Sequence, residues 1–184
     1  MIRERRIRLR EKKLDDVVNN YAWITDPELV ELDAAPLLTI PFSQYTSFYI
    51  SELRHPSPRR MAFAIETLDG EHIGNCSYYD INEKKGEAQL GIMIGNRKYW
   101  DNGYGTETVT MLLDYIFENT SINRVYLKTL LMNIRAQRCF QKSGFTFYKN
   151  LNQNDYHFML MDINRKQWRQ NQQENEMERH VRER

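Results

Sequence analysis

Apolar residues alternate with polar ones at the start of the chain and then change to helical spacing. Isoleucine and leucine alternate with arginines over residues 6–10, which predicts a strand. The pattern over residues 14–23 predicts a helix, and a helical pattern returns over residues 45–53. Between these helices, residues 26–41 carry three prolines and little periodicity. We expect a loop or a broken helix there, of the kind that often shapes the mouth of a substrate site.

Three strand candidates come next, over residues 61–66, 72–80 and 87–94. Short, turn-like connections separate them, with Asp69-Gly70 in the first and residues 82–86 in the second. Connections of this length join neighbouring antiparallel strands. The middle of the chain is therefore expected to form an antiparallel meander.

The second half of the chain alternates between helical and strand patterns. Apolar residues over 109–117 follow the spacing of an amphipathic helix. A strand is predicted over residues 124–131, a helix over 134–142 and a last strand over 156–163, with 145–149 as a further strand candidate. Together the elements predict a mixed α/β (α+β) fold, in which helices flank one central, twisted, mostly antiparallel sheet.

Length and composition fit one domain. The chain has 184 residues, of which 41% are hydrophobic and 28% charged, so a single packed core is expected. After Trp168 the residues are mostly Gln, Asn, Glu and Arg. We therefore expect one domain over residues 1–168 and a polar, charged tail or helix over residues 169–184.

The charge balance and the cysteines bear on possible partners. Because 26 Lys and Arg stand against 25 Asp and Glu, the broad positive field of a nucleic-acid-binding protein is missing, and no nucleic acid partner is expected. Cys76 and Cys139 lie far apart without a CxxC, and the four histidines are scattered, so we expect no metal site and no disulfide. Reduced thiols favour a cytoplasmic location. No signal peptide is visible and no apolar run approaches the ~20 residues that span a bilayer, so no membrane partner is expected.

Two glycines, Gly103 and Gly105, stand between the strand predicted over residues 87–94 and the amphipathic helix. In this position they expose consecutive backbone N–H groups at the positive end of a helix dipole, which suits a pyrophosphate. The glycines alone fit a tight loop without a ligand equally well. GxxxxGK[ST] does not occur, and GxGxxG is excluded because Thr108 stands where its third glycine belongs.

The surrounding sequence resembles a known family. Trp100-Asp101-Asn102-Gly103-Tyr104-Gly105 is similar to the Gln/Arg-x-x-Gly-x-Gly/Ala pyrophosphate loop of the GNAT superfamily of acetyl-CoA-dependent N-acetyltransferases, with Trp100 at the Gln/Arg position. A second block, residues 133–145, is similar to the family's Asn-x-x-Ala-x-x-x-Tyr-x-Lys-x-Gly-Phe. The resemblance covers about residues 6–168. Its Tyr99-Trp100 pair and Trp168 resemble the branch with ribosomal-protein-alanine and spermidine N-acetyltransferases.

The resemblance implies acetyl-CoA as co-substrate, with no metal. The strand end would offer backbone groups to the pantetheine arm, and an N–H near Met93 would stabilise the thioester oxygen. Asn133 stands where the family has an amide near pantetheine and the acceptor, and Ala136 where a small residue lets the cofactor pass. The implied cofactor-binding residues are Ile92, Met93, Ile94, Trp100, Asp101, Asn102, Gly103, Tyr104, Gly105, Thr106, Asn133, Ala136, Phe140 and Lys142.

Two departures from the family pattern bear on catalysis. Phe140 stands where the family often has a Tyr as general acid, and Phe has no proton to donate. Gln89 stands where many members of the branch have a Glu base. Glu87 lies two residues earlier on the same strand face and would act through one water, or else is an exposed charge. The candidate catalytic residues are Glu87, Gln89 and Asn133.

Three functions remain open at this point. The first is an N-acetyltransferase whose acceptor, a primary amine such as a protein N-terminus, a polyamine, an aminoglycoside or another small amine, attacks acetyl-CoA directly in a ternary complex. The second is a non-catalytic acyl-CoA-binding or sensing protein that has lost the acid and the base. In the third, a structural partner protein, the glycines are only turns. A homodimer is implied by the resemblance alone.

Overall fold

The computed structural model describes residues 5–182, which form seven strands, six α-helices and two short 3-10 helices. The strands are β1 (Ile7–Arg10), β2 (Arg60–Thr67), β3 (His72–Asn82), β4 (Glu87–Ile94), β5 (Arg124–Leu130), β6 (Thr146–Gln153) and β7 (Tyr156–Asn164). The helices are α1 (Val17–Ile24), α2 (Pro27–Leu32), α3 (Phe42–Arg54), α4 (Tyr104–Asn119), α5 (Ile134–Lys142) and α6 (Arg165–Arg182). The 3-10 helices are Leu14–Asp16 and Arg97–Tyr99.

All seven strands form one sheet in the order β1-β2-β3-β4-β5-β7-β6. Each neighbouring pair is antiparallel except β4 and β5, which run parallel. A parallel connection needs a crossover, and α4 supplies it between these two strands. The predicted mixed α/β fold with a mostly antiparallel sheet is confirmed.

The main core lies between α4 and the sheet. The apolar stripe that predicted this helix is almost fully buried, with Leu112 and Ile116 at 0% exposure, and it packs with Val125 and Leu127 of β5. Burying an aliphatic side chain of this size contributes about 1.5–3 kcal/mol, so the stripe fixes α4 against the sheet. The start of α4 is thereby held close to the end of β4.

Local signals placed most elements correctly. The strand over residues 87–94 and the helix over 134–142 have the predicted bounds. Residues 26–41 contain a broken helix, because α2 begins where the Asp26 carboxylate accepts hydrogen bonds from the amides of Glu28 and Leu29, and it ends after six residues. The strand candidate over 145–149 is β6, which is longer than predicted.

The polar C-terminal segment is helical through residue 182, and residues 183–184 lie outside the described part of the chain. Since α6 begins at Arg165 and continues past Trp168, the division of the chain at residue 168 stays a prediction. Within residues 5–182, no helix combines the length and the apolarity needed to cross a bilayer.

Candidate active site

The parallel strands β4 and β5 are paired only at their beginnings. Residues 87–89 lie opposite 124–126, and beyond this register the carboxyl halves of the two strands separate. A cavity of about 550 Å³ opens where they part. It is lined by Leu29, Leu32, Asp33, Ile92, Met93, Ile94, Tyr99, Trp100, Asp101, Gly103, Gly105, Thr106, Asn133, Ile134, Arg135, Ala136, Arg138, Cys139, Phe140 and Lys142.

The register between β3 and β4 decides which backbone groups of β4 face this cavity. The amide of Gly95 donates to the carbonyl of Ile73 at 2.9 Å, so this opposite pair is hydrogen-bonded. Hydrogen-bonded pairs alternate along an antiparallel ladder, and Met93, two residues earlier and opposite Asn75, therefore directs its N–H and C=O at β3. The cavity-facing groups belong to Ile92 and Ile94. The N–H groups near Met93 that can reach a ligand are therefore those of Ile92 and Ile94.

Trp100 closes one end of this exposed strand edge. Its Nε1 donates to the carbonyl of Ile94 at 2.6 Å, which anchors the indole across the end of β4. The N–H and C=O of Ile92 stay open to the cavity, so an extended ligand with amide groups can pair with them as an added strand does. The place of the pantetheine arm along this edge stays a prediction.

The turn before α4 has the conformation of an anion-binding site. Asp101 and Gly103 have positive φ angles of 58° and 84°, while Asn102 between them does not. Alternating signs of φ make successive N–H groups converge on one concave side. Gly103 is the N-cap residue of α4, so the positive end of the helix dipole points the same way. A pyrophosphate fits this turn.

Two glycines beside the turn are required for packing. A Cβ on Gly105 would lie 3.2 Å from Sγ of Cys139, so the missing side chain lets α4 and α5 approach closely. A Cβ on Gly95 would fall 2.1 Å from the indole of Trp23, which packs directly under the chain as it leaves β4. The tight-loop role and the cradle role of Gly105 are therefore compatible.

Arg135, Arg138 and Lys142 bring positive charge to the cavity from α5. Their spacing of three and four residues puts them on one face of the helix. The guanidinium of Arg135 stacks on Trp100, 3.3 Å from the ring centroid. Only Lys142 was predicted as a cofactor ligand. The two arginines could have been found from their helical spacing, but they do not belong to the family motif.

Asn102 and Tyr104, both predicted cofactor ligands, do not line the cavity. Arg6 of the N-terminal segment holds them from outside: its Nη1 donates to the carbonyl of Asn102 at 3.0 Å, and its guanidinium lies 4.2 Å from the ring centroid of Tyr104. Its Nε also donates to the carboxylate of Glu107 at 3.0 Å. The side chain of Asn102 donates to the carbonyl of Trp100 at 2.9 Å. The side chains of Asn102 and Tyr104 thus support the turn, and the backbone amides are the groups left for a ligand.

Of the predicted catalytic residues, Asn133 lines the cavity and the other two do not. Oδ1 of Asn133 accepts from the amide of Ala136 at 3.1 Å as the N-cap of α5. Glu87 accepts from Arg124 at 2.9 Å and lies about 16 Å along the strand from Ile92. The structure therefore does not bring Glu87 or Gln89 together with the cofactor residues, and Glu87 has a structural partner of its own.

The remaining predicted ligands that line the cavity are Ala136, Phe140 and Thr106. Phe140 is buried and meets Phe145 edge to face, with the ring centroids 6.0 Å apart. The third side of the cavity comes from Leu29 and Leu32 of α2 and from Asp33 directly after it. The sequence indicated that residues 26–41 would shape a substrate mouth, but it did not single out these residues.

An open strand edge beside an amide-rich turn at a helix N-terminus can hold a ligand that has both amide groups and a pyrophosphate. The chain belongs to the GNAT acetyltransferase family, because the family model described as acetyltransferase (GNAT) domain matches residues 6–146. The membership expected from the two motifs is confirmed. This family consists of acetyl-CoA-dependent N-acetyltransferases.

Similar proteins agree with this assignment. An uncharacterised N-acetyltransferase, p20, of Bacillus licheniformis is 27% identical over 146 residues, which are 76% of this chain and 81% of that protein. The aminoglycoside N(6')-acetyltransferase type 1 of Klebsiella pneumoniae is 25% identical over 144 residues, 71% of this chain and 69% of that protein. The spermidine N-acetyltransferase of Vibrio cholerae, in complex with CoA and spermine, superposes with a TM-score of 0.79 at 18% identity, covering 89% of this chain and 98% of that one.

Proposed function

We propose that the acceptor is a primary amine of a small cationic molecule, of the polyamine or aminoglycoside kind, and that it attacks acetyl-CoA directly in a ternary complex. The observation that carries the proposal is one continuous cavity that joins the amide-rich turn to the carboxylate of Asp33. The relatives that act on aminoglycosides and the neighbour bound to spermine support a cationic acceptor.

On the cofactor side the work is positioning. Acetyl-CoA supplies an activated thioester. The backbone of Ile92 orients the pantetheine arm, the amides from Asp101 to Thr106 bind the pyrophosphate, and the cations of α5 bind phosphate charge. Holding two reactants in an attack geometry replaces a bimolecular encounter by a unimolecular step, which is worth several orders of magnitude in rate.

No dedicated acid is required at Phe140. A thiol has a pKa near ~8.5, so the departing thiolate is only moderately basic at neutral pH and takes its proton from water. The backbone amides that face the cavity at Ile92 and Ile94 are the groups we assign to the thioester oxygen.

A non-catalytic acyl-CoA-binding or sensing protein is the second candidate. Two observations favour it: a phenylalanine fills the usual position of the acid, and Gln89 lies outside the cavity. A protein of this kind binds acetyl-CoA with full affinity and transfers nothing.

The decisive experiment combines binding with turnover. Acetyl-CoA is expected to raise the melting temperature, since a ligand of the native state stabilises it by mass action. Release of CoA thiol is then followed with spermidine, kanamycin and a peptide with a free N-terminal alanine, and the N-acetylated peptide serves as the blank. Turnover of spermidine or kanamycin supports the proposal. Turnover of the peptide alone would replace the acceptor class, and binding without any turnover would establish the second candidate.

We also propose a cytoplasmic location and a homodimer. The first is supported by Cys76 and Cys139, which are both free thiols. The second is supported only by the family resemblance. Light scattering of the purified protein tests it, with a mass near 44 kDa expected for two chains of 22.2 kDa each.

A further inference from the structure

Asp33 follows the last residue of α2, and its side chain lines the same cavity as Ile92 and Asn133. The cavity lining contains one other carboxylate, Asp101, which belongs to the anion-binding turn. Asp33 therefore belongs to the side of the cavity that α2 forms, and not to the anion-binding turn or to the cations of α5.

The position of α2 is fixed relative to the turn. Arg97, in the 3-10 helix that precedes the turn, donates to the carboxylates of Asp26 at 2.8 Å and Glu28 at 2.6 Å. Asp26 in turn caps the first amides of α2. Leu29, one of the cavity residues of α2, is 4% exposed and anchors the helix from below. Asp33 is thus carried by an element that is tied to the cofactor side.

The surroundings of Asp33 leave its carboxylate without a partner inside the protein. Among the described residues, none of the hydrogen bonds or ion pairs includes it. The charged and titratable groups that face it are Arg60 at the start of β2, Tyr79 on β3 and Lys128 on β5. Although the side chain is open to solvent at the cavity mouth, the protein packed around it displaces hydration, and this raises the pKa of Asp33 to about 6.

We propose that Asp33 binds the acceptor ammonium and accepts its proton. This inference rests on the proposed function and names the residue through which the acceptor site acts. A carboxylate that lacks an internal partner, at the acceptor end of the cavity, is matched by a cation that brings its own hydrogen-bond donors.

The proton balance is complete without a further reactant. The ammonium loses one proton to Asp33 and becomes a neutral amine with a free electron pair. The amine nitrogen forms the new C–N bond as the C–S bond breaks, and the sulfur leaves with the bonding pair. The nitrogen releases its second proton to water, the thiolate takes a proton from water, and Asp33 returns the first proton to solvent. A base that titrates near the working pH is effective in such a transfer.

The test uses Asp33→Asn, with Glu31→Gln as the matched control on the exposed side of the same helix. With the amine that the panel selects, we expect Asp33→Asn to lower kcat/KM by about 10²–10⁴-fold and to remove the limb that rises through pH 6. Asp33→Glu should restore part of the rate. The melting-temperature shift given by acetyl-CoA should stay at its wild-type value, and Glu31→Gln should match wild type in every measurement.

Stability separates a base from a structural residue. A carboxyl whose pKa is raised on folding binds its proton more tightly in the folded state, so its ionisation disfavours folding, fully so above pH 6. Asp33→Asn should therefore keep or raise the melting temperature at pH 8, whereas loss of a structural contact would lower it.

Two outcomes would overturn the inference by different routes. A folded Asp33→Asn protein with the wild-type rate and pH profile would remove Asp33 from the chemistry while the proposed function stands. A wild-type protein that binds acetyl-CoA and acetylates no amine of the panel would remove the proposed function and the role of Asp33 together.

Discussion

The two sides of the cavity are built from different parts of the chain. The cofactor side consists mainly of main-chain groups, namely the turn at 101–103, the start of α4 and the open edge of Ile92, with the cations of α5 beside them. The side that we assign to the acceptor consists of side chains from separate elements, with Asp33, directly after α2, facing Tyr79 and Lys128 on the sheet. Main-chain groups are the same in every sequence that keeps the turn, whereas side chains change one at a time. The fold can therefore keep one co-substrate while the acceptor varies.

The two sides also differ in how firmly they are held. Around the turn, α4 and α5 approach so closely that a Cβ on Gly105 would lie only 3.2 Å from Sγ of Cys139. On the acceptor side, α2 is tied to the turn by ion pairs of Arg97, whose side chain is 44% exposed. Exposed ion pairs contribute about 0–1 kcal/mol, so removing the ion pairs of α2 should have a much milder effect than a change at the turn.

Gly105→Val should have the largest effect, a loss of acetyl-CoA binding. The new side chain meets Cys139 and fills the space above the first amides of α4, so affinity for acetyl-CoA should fall at least ~100-fold. Titration calorimetry with acetyl-CoA measures this, and circular dichroism checks the fold.

Gly70→Ala is the matched control for this variant. Gly70 has a positive φ of 89°, and a Cβ there meets nothing within 4 Å. Some loss of stability with unchanged affinity is expected. A folded Gly105→Val protein that binds acetyl-CoA like wild type would refute the assignment of the turn.

The sequence allowed the cofactor side to be predicted because its signals are local. Asn133 is a favoured N-cap type and predicts the start of α5. Gly103 and Gly105 indicate the turn within the six-residue motif that begins at Trp100. Asp33 carries no such signal, since the groups that face it are distant in the chain and meet it only in the fold. For Glu87, alternation gave the strand face correctly but not the distance to the cavity, which depends on where β4 and β5 part.

Arg135→Ala and Arg138→Ala should each weaken acetyl-CoA binding about tenfold, as expected for loss of one charge-assisted contact to phosphate. The loss should shrink as salt increases, because ions screen the same charges. Binding is measured at two salt concentrations, and Lys166→Ala, an exposed cation on α6, is the control. Equal affinity of both arginine variants and wild type at low salt would show that the α5 cations do not meet phosphate.

Arg97→Ala tests how firmly α2 is held and should have the smallest effect. Releasing α2 from its ion pairs should raise KM for the amine about two- to fivefold, with the affinity for acetyl-CoA nearly unchanged. Steady-state kinetics with each substrate varied in turn distinguishes the two, and Arg59→Ala, exposed and far along the chain from α2, is the control. A larger loss for acetyl-CoA than for the amine would mean that Arg97 serves the turn and not α2.

The short pairing of β4 with β5 makes this the weakest connection within the sheet. Strands β1 to β4 and strands β5 to β7 meet over only three residue pairs, and Arg124 reinforces that end by binding Glu87 on one side and Asp162 on the other at 2.9 and 2.8 Å. The two halves of the sheet are thus joined at one end and separated at the other. A ligand lying between the carboxyl halves of β4 and β5 replaces the missing hydrogen bonds. The backbone amide of Ile92 should therefore exchange with deuterium faster than its neighbours until acetyl-CoA binds.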